Sequence, residues 1–252
     1  MKTSPARSRL RRWLGLGLGE EATRRRLAAA RFGLLATTIL VTIGAIMIAA
    51  PELYGRVGWQ LLISIPLFVG MYVVSGSTRV VAVGVLLMTV IAALGIVAVI
   101  KEQLGALVID TALRAAVIAV VTGWLSVEVL RERNVSLDTI LGGICVYLLL
   151  AYFYAHLYLM LELLTPGALV TGGHPLDYAA RGQHPFAAIP ELIYFSTATL
   201  TTVAYGDITP STSLARFVSM TEAMLGQLYP TIFIARLVSL NVAQMGSFRS
   251  EG

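Results

Sequence analysis

Six long apolar stretches, joined by short polar or proline- and glycine-bearing links, decide what this chain can fold into. They run at about 32–50, 57–74, 80–100, 104–130, 137–164 and 214–243. A helical crossing of a bilayer core needs about 20 apolar residues, and each stretch is close to that length or beyond it. Pro51 closes the first and Trp59 opens the second. Composition agrees: 57% of the 252 residues are hydrophobic and 13% are charged, where a soluble domain carries about a quarter charged residues. A water-soluble globular fold is excluded, and an all-α membrane protein with six transmembrane helices is expected. After the fifth stretch, a polar link (165–185) leads into a shorter apolar segment, Pro190–Thr202. That segment is too short to cross a bilayer and suits a re-entrant helix covered by protein.

The charges give an orientation. Residues 1–31 form a basic arm holding Lys2, Arg7, Arg9, Arg11, Arg12, Arg24, Arg25, Arg26 and Arg31. With the arm inside, it is joined there by Arg79, Arg131, Arg133 and Arg249, while the outer segments hold Arg56, Lys101, Arg181 and Arg216. Cytoplasmic loops carry the excess of Lys and Arg, so both termini are expected in the cytoplasm and the protein in the plasma (inner) membrane. The formal net charge of +5 is then explained by topology and by anionic lipid at the arm, with no call for nucleic acid. Leu10, Trp13 and Leu14 fall at i, i+3, i+4, which suits either a short interfacial helix or a disordered arm. The lone Cys145 excludes an intramolecular disulfide.

The informative stretch follows the re-entrant segment: Thr199-Leu200-Thr201-Thr202-Val203-Ala204-Tyr205-Gly206-Asp207-Ile208-Thr209-Pro210. It holds no acid–base pair and no cluster of metal ligands. Irregular backbone at membrane depth survives only where protein buries it or where it lines water. A pore filter is one such place, because its carbonyls replace the hydration shell of an ion. The stretch resembles the pore signature of the potassium-channel superfamily, T-V-G-Y-G-D, through Thr202, Val203, Tyr205, Gly206 and Asp207, with Tyr194-Phe195-Ser196 before it and Ile208-Thr209-Pro210 after it. The resemblance covers roughly residues 186–240. It implies a homotetramer, in which three further copies complete the pore. It also implies dehydrated potassium as the permeant ion, held by the carbonyls of Thr202, Val203, Ala204 and Tyr205 and by the Thr202 hydroxyl, with Gly206 completing the filter. No other cofactor is expected.

One position departs from the pattern. Ala204 stands where the family has the first glycine of G-Y-G. The family backbone there is left-handed, which costs alanine about 1–2 kcal/mol per subunit. Around the filter, Asp207 resembles the outer-mouth acid, and Glu191 sits at the start of the pore helix, where a carboxylate complements the helix dipole. Gly226 matches the inner-helix hinge glycine by spacing, and Pro230 follows as a helix-kinking residue. Glu222 lies deep in the sixth span, where a carboxylate is expensive. It faces the cavity, the back of the filter or the lipid edge.

Asp110 and Arg114 share a face of the fourth span and are read as a pair. A single span arginine is too few for a voltage-sensing helix. His156, His174 and His184 are either pH sensors or ordinary hydrogen-bonded residues. Trp59, Tyr72 and Trp124 suit interfacial belts. Three parts follow: an arm (1–31), a four-helix peripheral domain (32–130) and a pore domain (131–252). The expected function is a potassium-conducting channel without a charged voltage sensor. The alternatives are a weakly selective sodium/potassium channel or a non-conducting sensor or scaffold. An enzyme is not expected, since H-E-x-x-H, G-x-S-x-G and P-loop patterns are absent from the sequence.

Overall fold

The computed structural model describes residues 31–48, 62, 64–72, 78–101, 103–132, 135–176 and 185–250. The arm and its interfacial helix, Pro51, Arg56, Trp59, Arg133, Arg181 and His184 lie outside the described residues.

Helix α1 is Arg31–Ile48, α2 is Thr78–Ile100, α3 is Leu104–Arg131 and α4 is Leu137–Leu164. A further helical run covers residues 64–72, within the second apolar stretch. The pore helix α5 is Ile189–Leu200, entered through a 3-10 turn at Pro185–Ala188, and α6 is Ser213–Ser250. Three of these helices, α3, α4 and α6, are long and apolar enough to cross a membrane.

Helix α4 is the central post. Ser136 caps it by accepting a hydrogen bond from the Thr139 N–H at 3.1 Å, which satisfies one of the donors a helix start leaves open. Its buried residues, among them Cys145, Val146, Leu149, Tyr152, Ala155 and Tyr158, point in all directions, as befits a helix surrounded by others. On α3 the buried positions instead form one stripe, Leu107, Asp110, Arg114, Ile118, Val121, Leu125 and Val129, and this stripe packs along α4. Asp110 and Arg114 pair as expected, at 3.0 Å and fully buried, and Arg114 Nη1 donates to Ser64 Oγ at 3.1 Å. Near its far end, α6 is tied to the end of α3: Arg236 donates to the carbonyls of Leu130 and Glu132. A cation there complements the negative end of the α3 dipole.

The link after α4 adds what the all-α expectation lacked. Strands β1 (Leu169–Thr171), β2 (His174–Pro175) and β3 (Ile208–Pro210) form a small antiparallel sheet in the order β2-β1-β3. Glu162, at the end of α4, holds the turn by accepting from the N–H groups of Gly167 at 3.0 Å and Leu169 at 2.5 Å. Strands this short are below the length at which a period of two can be read from sequence.

Candidate functional site

The pore helix starts with Pro at its first turn and Glu191 beside it. Proline has no N–H to waste there, and the carboxylate faces the positive end of the helix dipole. The helix stops at Leu200, and its last carbonyls catch the chain as it turns away. Thr202 N–H donates to Thr199 O at 3.0 Å, and the N–H groups of Val203 and Ala204 both reach Ala198 O, at 2.9 and 3.3 Å.

The next residues are the core of the site. Thr202 has φ +58°, Ala204 +47° and Gly206 +79°, while Val203 and Tyr205 between them have ordinary negative φ. Alternation between left- and right-handed conformations turns successive N–H groups to one side of the strip. It therefore turns successive C=O groups to the other. A β-strand would alternate its carbonyls. A ribbon whose hand alternates in this way can present a row of them, as a pore filter would. Ala204 occupies the left-handed position that its departure from glycine made critical.

Both ends of the ribbon are tied. At the end that leads into β3, the Tyr194 hydroxyl donates to Asp207 Oδ2 at 2.8 Å, and the rings of Tyr194 and Tyr205 stack at 6.1 Å. Asp207 Oδ1 accepts the Ile208 N–H at 3.0 Å. The Tyr194 hydroxyl is the main reason the Asp207 carboxyl is held below the ordinary aspartate range. Because that value is depressed, the stabilisation from this contact is present above the ordinary aspartate value and is lost as pH falls through the depressed one. Tyr194→Phe is expected to raise the titration midpoint of Asp207, read by carboxyl NMR. An unchanged midpoint would show that the hydroxyl does not brace the acid. Beyond Asp207, β3 pairs with β1, Thr171 opposite Ile208 and Leu169 opposite Pro210.

At the other end, α6 passes the end of α5 at backbone contact. A Cβ on Gly226 would lie 1.9 Å from Leu200 O. The Tyr147 hydroxyl donates to that same carbonyl at 2.9 Å and lies 3.4 Å from Gly226 O. Pro230 has no N–H to give to the carbonyl four residues earlier, which is that of Gly226, so Tyr147 supplies a weak substitute. Helix α6 nevertheless runs unbroken through both residues. One position on, Gln227 Nε2 donates to Thr202 Oγ1 at 2.8 Å. The sequence reading passed over Gln227. The available signal was a polar residue within an apolar inner helix, next to the close-packing glycine.

Glu222 does not face the space beside the filter. It is fully buried between three helices, accepting from the Tyr158 hydroxyl on α4 at 2.6 Å and from the Ser196 hydroxyl on α5. Ser196 Oγ also lies 2.8 Å from Ala151 O. The carboxyl thus pins the back of the pore helix to its neighbours. His156 is buried, with Nδ1 2.8 Å from Tyr152 O, and His174 lies exposed in β2. Among the described residues no cluster of His, Cys, Asp and Glu could hold a metal ion.

Residues 143–243, from α4 through α6, match the family model described as "Ion channel". The match supports a potassium-channel-type superfamily for this segment. No curated protein and no solved structure matches the chain. The match to this channel segment reaches back beyond the motif to include most of α4; it indicates an ion channel, and together with the apolar helices it suggests a membrane protein.

Proposed function

We propose that the chain assembles as a homotetramer and conducts potassium through the backbone carbonyls of Thr202, Val203, Ala204 and Tyr205 and the Thr202 hydroxyl. The observation that carries this reading is the alternating backbone at Thr202, Ala204 and Gly206. One ribbon cannot enclose a path. In the single chain residues 201–207 are exposed, with Val203 at 52% and Tyr205 at 70%. Lipid cannot cover irregular backbone, so further copies and water must. An open cleft of about 420 Å³ flanks the ribbon, lined by Thr199, Thr202, Tyr205, Met220 and Ala223, and provides the place where a neighbouring copy packs. Only 6% of the α6 span is buried, against 61% of the α4 span, which agrees with α6 lining a shared interior.

The same reading has six crossings, with cytoplasmic termini, in the plasma membrane. Residues 32–130 form the peripheral domain and 131–252 the pore. Arg114 is bound to a buried aspartate, so the fourth span holds no free gating charge and the pore opens without a charged voltage sensor. The test is the bi-ionic reversal potential of the purified protein in a planar bilayer, potassium on one side and sodium on the other. Reversal near the potassium potential supports the reading, and absence of current across pH and lipid composition overturns it.

A relaxed filter passing sodium as well is the second reading, favoured by Ala204 at φ +47°. A left-handed alanine costs about 1–2 kcal/mol, repeated in each subunit. Ala204→Gly is expected to move the reversal potential toward that of potassium. An unchanged sodium-to-potassium permeability ratio would show that the alanine is harmless.

A further inference from the structure

We infer that Gln227 controls cation occupancy at the inner end of the filter by competing with the ion for the Thr202 hydroxyl oxygen. This rests on the conduction path proposed above and names a residue within it that the pore motif does not contain.

The contact is built by two adjacent positions of α6. Gly226 brings the helix to backbone contact with Leu200, and Tyr147 fastens that junction. The next side chain, Gln227, therefore arrives beside the first residue of the ribbon, where its amide donates to Thr202 Oγ1 at 2.8 Å. Thr201, one residue earlier, directs its own hydroxyl back to Thr197 O at 2.7 Å, so it takes no part. Both Gln227 and Thr202 are exposed in the single chain.

A threonine oxygen has two lone pairs. An amide N–H donated into one of them leaves a single pair for a cation, and it places the positive end of a dipole beside the site. An ion arriving from the side on which α6 ends meets this oxygen first. It must share the oxygen with Gln227 or displace the amide. A leucine of similar size removes the donor and frees the lone pair. A glutamate removes the donor and adds a negative charge.

The test is block by barium, a divalent cation close to potassium in size, applied to wild-type channels in planar bilayers from the side on which α6 ends. Gln227→Leu is expected to bind barium about two- to tenfold more tightly, the range that corresponds to one neutral hydrogen bond. Gln227→Glu is expected to bind it more tightly still. Block from the opposite side is expected to change less. If the leucine variant fails to assemble, Gln227→Met, equally without a donor, gives the same comparison. Conducting variants whose barium affinity is unchanged or weaker overturn this inference alone. Absence of current from the wild type overturns the conduction path, and this inference with it.

Discussion

Gly226→Ala is expected to unseat the inner helix and to abolish conduction. The added Cβ falls 1.9 Å from the Leu200 carbonyl oxygen and 2.7 Å from its carbon. Those atoms are backbone at the end of the pore helix, so no side chain can turn aside. Overpacking in a well-packed interior costs about 1–3 kcal/mol and occasionally more. The displaced helix also draws Gln227 away from Thr202 and Gly226 O away from Tyr147. Two glycines serve as controls. A Cβ on Gly143 meets the ring of Phe233 at 2.3 Å, but the ring is a side chain on a neighbouring helix and can move, so alanine there is expected to cost less. A Cβ on Gly123 meets nothing within 4 Å, and alanine there stabilises the helix by up to about 1 kcal/mol. Thermal midpoints of the three detergent-solubilised variants check the order. A Gly226→Ala protein as stable and active as the Gly123→Ala protein would mean that the two helices are not in backbone contact.

The second large effect is expected at Glu222. Leucine there removes the carboxylate that the buried Tyr158 and Ser196 hydroxyls share, at about 0.5–1.5 kcal/mol for each hydrogen bond lost, and releases the pore helix from α6. Glutamine preserves the arrangement. Its carbonyl accepts from Tyr158 and its amide donates to Ser196, whose own proton is then free for Ala151 O. The leucine variant is therefore expected to melt several degrees lower than the wild type and to conduct poorly, whereas the glutamine variant stays close to the wild type. A glutamine variant as damaged as the leucine variant would mean that the acid itself is required, and that the clamp is more than a set of hydrogen bonds.

Much of this architecture was legible because bilayer length is a strong constraint. The fifth apolar stretch and α4 share the bounds Leu137 and Leu164, and the fourth stretch and α3 differ by one residue. The hand of the backbone at 202–206 was legible because residue type is tied to it. A glycine pattern interrupted by Ala204 marked the one place where a left-handed alanine had to appear, and it does. Glu222 was legible as important but not as to its neighbours. Its helix position follows from sequence, whereas the helix it faces depends on how α4 and α5 pack. Gln227 escaped notice because its role comes from the close approach that Gly226 permits, and distance between helices is not written in either residue alone. The sheet was hidden for a different reason. Two- and three-residue strands carry no period, and their partners lie across the pore helix in sequence.

That sheet bears on how the protein is made. Strand β1 leaves the end of α4 and waits with an open edge until the pore helix and the ribbon have followed it, because its partner β3 comes after both. Closing so long a loop adds little entropy cost for its length, and the anchors that complete it, Glu162 on one side and Asp207 with Tyr194 on the other, belong to the same polypeptide. The inner anchors, the carbonyl of Ala198 and the amide of Gln227, do too. A newly synthesised chain can thus shape its own ribbon unaided, and in the proposed tetramer the encounter between copies has only to close the ring.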